Sequence, residues 1–350
     1  MRIMHFLNHT RPNNGHVHVA VDLACVQSAM GHSVSIVSGG GAFDHLFAAN
    51  GVQHIIIDQK RSLPNLVQAI HQLRSTILTI SPDIIHAHMM ASAGLAFILR
   101  RFMKFKLVTT VHNEFQKAAI IMGVGDRVIA VSKAVADSMA RRGVRRSKLR
   151  VVLNGTIGSP RLSTGTPESK RLQRPAITFV GGLHPRKGVD DLITAFKTVS
   201  TRVPDAFLYL VGHGPYWDAY KELAVQTGVG DRIQFCGPQA DPRPYLLGSD
   251  LFVLASHAEP GALVLPEARE AGCAIVATSV DGIPEMLDGG EAGILVPPRR
   301  PDLLAAAMVE VLTNKGLLAD MRARSRKNLD HFTVNRAAKD YLTVYNTLLD

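Results

Sequence analysis

Residues 176–191 read AITFVGGLHPRKGVDD, and this stretch decides how the chain is expected to fold. A short apolar run ends in two glycines, two adjacent cations follow, and a helical pattern then begins. A strand that turns directly into a helix is the first half of a βαβ unit. Glycines let the backbone approach a ligand closely, and a helix N-terminus favours negative charge. The stretch therefore predicts either a phosphate-binding loop or a glycine-rich turn with a solvated Arg-Lys pair.

Strand-like and helical runs alternate along the rest of the chain, which is typical of parallel sheets covered by helices. In the first half, strands are predicted at Ile3–Leu7, Ser33–Ser38, Asp83–Ala87, Leu107–Val111 and Arg127–Val131, and helices at His18–Met30, Leu66–Thr79, Ser92–Phe102 and Lys133–Arg142. In the second half, strands are predicted at Ala176–Val180, Ala206–Val211, Ile233–Cys236, Leu251–Leu254 and Ala274–Thr278, with helices at Asp190–Ser200 and Val334–Leu349.

The 350 residues exceed what one hydrophobic core normally organises. Residues 156–175 are rich in Gly, Ser, Thr and Pro and lack apolar periodicity. We therefore predict an α/β protein with two doubly wound, Rossmann-like parallel-sheet domains, at 1–155 and 176–330, joined by the connection 156–175. A last helix, within 331–350, is expected to pack back towards the N-terminal domain. Two such domains are expected to face a cleft, with ligands beyond the carboxyl ends of the strands.

The formal net charge of +10 is unevenly distributed. Residues 1–155 hold 18 Lys and Arg against 7 Asp and Glu, whereas residues 156–350 hold 21 against 22. The basic residues concentrate at positions 100–106 and 141–150. They form either a solvated surface or a face that attracts acidic lipid or a phosphorylated acceptor. Nucleic acid is not expected, because no aromatic residues interleave with these charges.

Three widely spaced cysteines, Cys25, Cys236 and Cys273, lie in apolar contexts and are expected to be buried free thiols. No apolar run is long enough to span a membrane, and the apolar start of the chain is too short for a signal peptide. The sequence thus predicts a cytoplasmic protein, with peripheral contact to the inner face of the membrane left open by its basic N-terminal half.

Two carboxylates eight positions apart, Glu259 and Glu267, flank a glycine-bearing loop. Pro266 suits the first turn of a helix, so Glu267 is expected at a helix start. A carboxylate can accept two hydrogen bonds from the vicinal hydroxyls of a ribose or a pyranose. Glu267 alone also fits an ordinary acid at a helix N-terminus.

The order of motifs along the chain resembles one known family. In the second half it is Gly181-Gly182-Leu183-x3-Lys187-Gly188, Leu210–Pro215, Phe235–Gly237, Glu259-x7-Glu267, Val276–Thr278 and Gly282–Glu285; in the first half it is Asn14-Gly15, Gly31–Val34, Pro82–His88, Val131-Ser132 and Asn154-Gly155. Together these motifs resemble the retaining, metal-independent GT-B glycosyltransferases called family four, over nearly the whole chain.

The resemblance implies a donor site for a nucleoside-diphosphate sugar. Glu267 would bind the nucleotide ribose. Lys187, with Arg186 beside it, would bind the diphosphate and stabilise charge on the leaving group. Gly181 and Gly182 would let the backbone approach the donor.

The sugar part of the donor is expected to contact a second group of residues. Glu259 would bind the sugar hydroxyls, helped by the main-chain N–H groups of Gly261, Ala262 and Leu263. His112 matches the family's histidine that touches the sugar, and it completes a predicted catalytic set with Glu259, Arg186 and Lys187. Gly15 would lie on a loop that approaches the donor phosphate or the acceptor.

The resemblance implies transfer of a hexose to a hydroxyl acceptor with retention, in surface polysaccharide or glycolipid synthesis. The acceptor would be a glycan or a lipid-linked intermediate. No metal and no cofactor is expected, because the family has no obligatory metal and this chain has no Asp-x-Asp. The alternatives are a nucleotide-sugar-binding protein with lost or weak catalysis, and a GT-B epimerase.

Two positions depart from the family pattern. Gly182 stands where the family usually has an arginine, and Gly261-Ala262 stand where it usually has Phe-Gly. We expect Arg186 to supply part of the missing guanidinium's role.

The pair His86-x-His88 places two imidazoles on one face of a strand end. Three interpretations remain open: metal binding, which needs further ligands, a lining of the cleft, and hydrogen bonding within the core. Gly39–Gly41 is expected to be a turn, and Trp217 to pack against its helix.

Overall fold

The computed structural model describes residues 1–12, 14–59, 63–162 and 165–349. The chain divides into two compact units, of which unit 1 comprises Met1–Ser163 with Asp330–Asp350, and unit 2 comprises Thr164–Leu329. Residues 163 and 164 of the predicted connection lie outside the described residues.

Unit 1 is built on a parallel sheet of seven strands in the order β3-β2-β1-β4-β5-β6-β7. The strands are β1 (Arg2–Phe6), β2 (Ser33–Ser38), β3 (Gln53–Ile56), β4 (Ile84–Ala87), β5 (Lys106–Val111), β6 (Arg127–Ala130) and β7 (Leu149–Val151). Chain order reverses between the neighbours β1 and β4, so the carboxyl ends of these strands mark the switch point at which open α/β sheets bind ligands.

Helices cover both faces of this sheet. They are α1 (Gly15–Ala29), α2 (Asp44–Ala49), α3 (Leu63–Ile80), α4 (Met90–Leu99) and α5 (Lys133–Arg141). Side chains alternate across a strand, so Met4 and Phe6 pack into the core under α3, α4 and α5, while Leu7 joins the core under α1 and α2. The Oγ of Ser132 accepts a hydrogen bond from the Val135 N–H at 3.3 Å and caps α5.

Unit 2 repeats the architecture with a six-stranded parallel sheet in the order β10-β9-β8-β11-β12-β13. Its strands are β8 (Ala176–Val180), β9 (Phe207–Val211), β10 (Ile233–Gly237), β11 (Leu251–Leu254), β12 (Ala274–Thr278) and β13 (Ile294–Val296). Its helices are α6 (Val189–Arg202), α7 (Trp217–Gln226), α8 (Arg243–Gly248), α9 (Val264–Glu270), α10 (Ile283–Met286), α11 (Pro301–Thr313) and α12 (Lys315–Ser325). The switch point of this sheet lies between β8 and β11.

The last helix, α13 (Val334–Leu349), belongs to unit 1. It packs against α1 and β5, and its buried face carries Tyr341 and Tyr345. These two sheets confirm the predicted α/β class with two doubly wound, Rossmann-like parallel-sheet domains. Cys25 and Cys273 are buried free thiols, whereas Cys236 is only half-buried. Within the described ranges, none of the helices combines the length and the apolar character that a membrane span requires.

Candidate active site

The switch point of unit 2 brings together the loops that follow β8 and β11. Gly188, directly before α6, has a positive φ of 62°, and a Cβ on it would lie 1.9 Å from the carbonyl oxygen of Ala255. Only glycine fits this approach, because an added Cβ would overlap the neighbouring backbone. The main-chain N–H of His257 donates to the carbonyl of Arg186 at 2.7 Å, which fixes the two loops side by side.

A carboxylate and two cations meet in this pair of loops. The ammonium of Lys187 donates to the Oε2 of Glu259, and the guanidinium of Arg186 lies 3.9 Å from the same oxygen. The hydroxyl of Ser256 also donates to Oε2, at 3.3 Å. Glu259 and Lys187 are nearly buried, while the Arg186 side chain is 40% exposed. A ligand that reaches this site therefore meets an exposed guanidinium first and a shielded ion pair behind it.

The backbone of Glu259 is anchored independently of its carboxylate. Its N–H donates to the Oδ2 of Asp281 at 2.6 Å, and its carbonyl accepts from the Gly282 N–H at 3.1 Å. Asp281 follows β12 and has a positive φ of 44°. Asp281 and Ser256 were missed in the sequence, although both follow predicted strands, where functional side chains of α/β sheets gather.

The two glycines after β8 differ in the space around them. The backbone of Gly181 packs closely against that of Gly212. A Cβ placed on Gly212 would lie only 1.9 Å from the carbonyl oxygen of Gly181. A Cβ on Gly182 would meet nothing nearer than the His213 carbonyl oxygen at 3.8 Å, and Gly182 has no positive φ. The site therefore has room for a side chain at position 182.

Residues 261–263 lead into α9, whose first turn carries Glu267. Ala262 is buried, and Glu267 is half-buried. Hydrogen bonds that the Arg243 guanidinium donates to Asp241 raise the pKa of Arg243, and the carboxylates of Glu270 and Glu267 raise it further. The guanidinium of Arg243 thus lies close enough to Glu267 for the two charges to interact.

The two remaining predicted residues, Gly15 and His112, lie in unit 1. Gly15 is the first residue of α1, and His112 directly follows β5. The Nε2 of His112 is 3.1 Å from the Nδ1 of His88, within hydrogen-bonding distance. His112 is half-buried at the carboxyl end of its strand.

A buried polar layer lies between the sheet of unit 1 and its helices α1 and α13. His5 of β1 is in register with His86 of β4, and both rings point to the same face of the sheet. His86 Nε2 is 2.7 Å from the hydroxyl of Thr110, and its Nδ1 is 2.6 Å from the hydroxyl of Tyr345 on α13. Of the interpretations left open for His86-x-His88, hydrogen bonding describes what both rings do in this structure.

Burial keeps the imidazoles of this layer neutral near pH 7. It lowers the pKa of His5 to about 4, against a smaller opposing effect of the Gln27 hydrogen bond. Burial, followed by neighbouring imidazoles, also holds the pKa values of His86, His88 and His112 well below the ordinary histidine range.

The structure thus brings Arg186, Lys187 and Glu259 into contact, and places Gly181 and Gly182 on the same loop. It places residues 261–263 and Glu267 on the segment that follows Glu259. In chemical terms, the switch point of unit 2 offers fixed cations for an anionic ligand and a carboxylate for hydroxyl groups.

Two family models match the two halves of the chain. Residues 13–156 match the model described as Glycosyltransferase Family 4, and residues 166–328 match the one described as Glycosyl transferases group 1. The first range lies within unit 1 and the second within unit 2.

Curated relatives are 24% to 32% identical to this chain over the stretches that match. The lipopolysaccharide core biosynthesis glycosyltransferase LpsE of Rhizobium meliloti (strain 1021) is 28% identical over 58% of this chain and 59% of its own length. The N-acetyl-alpha-D-glucosaminyl L-malate synthase of Bacillus anthracis is 31% identical over 53% of this chain and 48% of its own length. The chain spans about half the length of the curated relatives it matches.

Solved structures show the same fold over the full chain. HepE of Anabaena, solved in complex with UDP and glucose, has a TM-score of 0.84 at 19% identity and covers 99% of this chain and 100% of its own. The apo form of the lipopolysaccharide outer core galactosyltransferase WaaB has a TM-score of 0.79 at 17% identity and covers 99% of each. Since both halves match these models and the fold agrees throughout, the chain belongs to the family-4 glycosyltransferases of the GT-B fold.

Proposed function

We propose that this chain transfers a hexose from a nucleoside-diphosphate sugar to a hydroxyl acceptor in the synthesis of a surface polysaccharide or glycolipid. One observation carries the proposal. At the switch point of unit 2, the cations of Arg186 and Lys187 converge on the carboxylate of Glu259. The acceptor class is supported by relatives named for lipopolysaccharide core biosynthesis and for D-inositol 3-phosphate glycosyl transfer.

In the proposed reaction, the bond between the sugar's anomeric carbon and the diphosphate breaks, and a bond to the acceptor oxygen forms. Negative charge collects on the departing diphosphate. Fixed cations stabilise this charge without reorganising during the reaction, and this kind of electrostatic preorganisation is a large term in catalysis. Lys187 and Arg186 supply two such cations on one loop, next to the N-terminus of α6.

Glu259 takes the second role in the proposal, as the acceptor for hydroxyl groups of the donor sugar. Its carboxylate is held by Lys187 and Ser256, and its main chain is held by Asp281 and Gly282. A carboxylate fixed in this way loses little side-chain entropy when it binds a sugar. Glu267 on α9 is proposed to accept hydrogen bonds from the ribose of the nucleotide.

We further propose that transfer proceeds with retention and without a metal. Retention follows the mechanism implied by the family, in which the leaving phosphate oxygen helps deprotonate the acceptor on the same face of the sugar. The Arg186 and Lys187 cations would do the work that a divalent ion does in metal-dependent transfer. Activity that survives EDTA, with an α-linked product from an α-linked donor, supports both points; complete loss restored by Mg²⁺ overturns metal independence.

A screen of UDP-, GDP-, ADP- and TDP-sugars by thermal shift identifies the donor, because a ligand that binds only the folded state raises the melting temperature. The bound donor is then tested for transfer and for slow hydrolysis, in parallel with Glu267→Ala. We expect that variant to lose affinity for the free nucleoside diphosphate. A chain that binds a donor without ever turning it over is instead a nucleotide-sugar-binding protein, and an epimerised donor identifies an epimerase.

We also propose that unit 1 rests on an anionic membrane surface. Exposed apolar side chains lie at the basic stretch of residues 100–106: Ile98 is 51% exposed and Phe102 is 80% exposed. Ile120 and Ile121, each 40% exposed, belong to the segment Lys117–Val124 that packs against α4. Apolar side chains ringed by cations are the pattern of proteins that bind the interface of acidic membranes. Such contact would place the enzyme at the inner face of the membrane, beside a lipid-linked acceptor.

A further inference from the structure

A continuous chain of hydrogen-bonded rings runs inside unit 1 from α1 to His112. Gln27 Oε1 is 2.8 Å from His5 Nε2, and His5 Nδ1 is 3.0 Å from His88 Nε2. His88 Nδ1 is in turn 3.1 Å from His112 Nε2. Gln27, His5 and His88 are buried, so no solvent separates the links. Among the residues that the structure describes, each ring nitrogen of His5, His88 and His112 has a partner in this series except the Nδ1 of His112.

The amide of Gln27 fixes the direction of every hydrogen bond in the chain. An amide oxygen only accepts, so His5 must carry its proton on Nε2. A neutral imidazole has one N–H, so His5 Nδ1 is an acceptor and His88 must donate from Nε2. The same step repeated places the proton of His112 on Nε2. The Nδ1 of His112 is then left with a lone pair and can accept a hydrogen bond.

The structure places the Gln27 amide with its oxygen 2.8 Å from His5 Nε2. The amide nitrogen is buried and has no hydrogen-bond partner among the residues that the structure describes. A turned amide would reverse all the protons and leave Nδ1 of His112 as a donor.

The hydrogen-bonded series from Gln27 to His112 carries no net charge. Burial lowers the pKa of His5 to about 4 and keeps those of His88 and His112 well below the ordinary range, so all three rings are neutral near pH 7. Neutral rings have two possible arrangements of protons, and a single end group is enough to select one of them.

We propose that Gln27, His5 and His88 are positioning residues that hold His112 in its Nε2–H tautomer, so that Nδ1 accepts a hydrogen bond from a sugar hydroxyl. The inference rests on the proposed function for the identity of that hydroxyl. The tautomer itself does not, because it follows from the hydrogen bonds of unit 1. None of the three positioning residues is proposed to touch the substrate; each acts through its neighbour.

The first test is made on the unmodified protein. Proton–nitrogen correlation spectra of ¹⁵N-histidine-labelled protein distinguish a protonated from an unprotonated ring nitrogen. We expect His112, assigned by comparison with His112→Gln, to show a protonated Nε2 and an unprotonated Nδ1 near pH 7. The opposite tautomer, or fast averaging between the two, overturns the inference whatever the enzyme transfers.

A metal ion is the competing use of this cluster. The ring nitrogens of His5, His86 and His88 lie within 4.8 Å of one another and could converge on an ion. A bound ion would replace the hydrogen bond between His5 and His88. Stoichiometric zinc in protein purified without chelators, released together with a change in the histidine spectra, therefore also overturns the inference.

The second test removes the end group. Gln27→Met keeps length and volume but offers no acceptor oxygen, so His112 should populate both tautomers. We expect kcat/KM to fall about three- to tenfold, the loss of one neutral hydrogen bond. Binding of free nucleoside diphosphate should stay unchanged. Thr110→Val is the matched control. It removes a buried hydroxyl of the same polar layer, and this hydroxyl contacts His86, which is not part of the series from Gln27 to His112. Equal losses in both variants, or a Gln27→Met protein with one His112 tautomer and full activity, contradict the positioning role.

If no donor is turned over by the unmodified protein, the proposed function fails while the spectra still decide the tautomer. The two failures are therefore distinguishable.

Discussion

The ammonium of Lys187 donates to the carboxylate of Glu259, which joins the loop after β8 to the loop after β11 across the switch point of unit 2. Both side chains are nearly buried, so this is a shielded pair in which each group is costly to leave unpartnered. In the proposed reaction, the donor's phosphate replaces Glu259 as the partner of Lys187, and hydroxyls of the sugar replace Lys187 as partners of Glu259. The pair thus holds both groups in place until a ligand carries matching chemistry to each.

Replacing Lys187 by methionine should reduce transfer by roughly 10²- to 10³-fold, because one fixed donor to the developing charge is lost. Glu259 would also lose its main cation, so the folded protein should be less stable as well. Steady-state transfer rates and thermal unfolding separate the two effects. Lys197→Met, on the exposed face of α6, is the matched control and should change neither. A Lys187→Met enzyme with near-normal kcat contradicts the proposed leaving-group role.

Gly182→Arg should raise activity, and it should rescue Arg186→Ala. The family pattern places an arginine at position 182, and a Cβ there would meet nothing nearer than 3.8 Å. Arg186, 3.9 Å from Glu259, is the cation expected to compensate for the missing one. We therefore expect Arg186→Ala alone to lose about tenfold in kcat/KM, in line with a charge-assisted hydrogen bond.

The contrasting variant is Gly188→Ala, where a Cβ would lie 1.9 Å from a carbonyl oxygen and φ is 62°. This change should destabilise unit 2 by about 2 kcal/mol or more, whereas Gly182→Arg should fold normally. Full activity of Arg186→Ala, or a Gly182→Arg protein that gains nothing, contradicts the compensation idea.

Most of the fold could be predicted from buried strands, and the strands that were missed share one property. β3, β7 and β13 each lie at the edge of a sheet, are three or four residues long and are only partly buried. An edge strand faces a neighbour on one side only, so its sequence lacks the continuous apolar run that marks a central strand.

The site was predictable only where its residues follow a strand in sequence. Lys187 and Glu259 could be found because motif order marked their loops, and their roles remain predictions. Asp281 was missed because nothing local shows that its carboxylate anchors the backbone of Glu259, 22 residues earlier. The partner of His86 on α13, Tyr345, is 259 positions away, beyond any local pattern.

Unit 1 should lose stability as the pH falls from 6.5 towards 4. In the unfolded chain an imidazole binds a proton near pH 6.5, but His5 in the folded protein does so only near pH 4. In this window the unfolded state therefore binds more protons, so the free energy of unfolding falls with pH and is fully recovered above 6.5. For His5 alone the loss reaches about 3 kcal/mol at the lower end, at 1.36 kcal/mol for each unit of pKa.

Hydrogen exchange of α1 and β1 amides measures this loss in unit 1, while fluorescence of Trp217, the only tryptophan, follows unit 2 separately. His331→Asn, which removes an exposed histidine of the same unit, is the matched control. Exchange protection in α1 that stays constant from pH 7 to 4 would show that the buried imidazoles are not held neutral.

The protein should float with anionic vesicles at low salt through the apolar and basic surface of unit 1. Phe102 is 80% exposed, and Arg101 and Lys104 beside it are also exposed. Each cation near an acidic surface contributes about 1 kcal/mol, an attraction that fades as the Debye length shrinks from about 10 Å at 0.1 M salt to about 3 Å at 1 M. Phe102→Ser should weaken binding at every salt concentration, since it removes buried apolar area. Arg101→Ser should weaken it chiefly at low salt.

Val225→Ser, which removes an exposed apolar side chain from unit 2, is the control and should bind like the parent. Equal recovery with neutral and anionic vesicles contradicts a preference for an anionic surface. No recovery at low salt refutes membrane contact and leaves the basic half of the chain as a solvated surface or as a binding face for an anionic acceptor in solution.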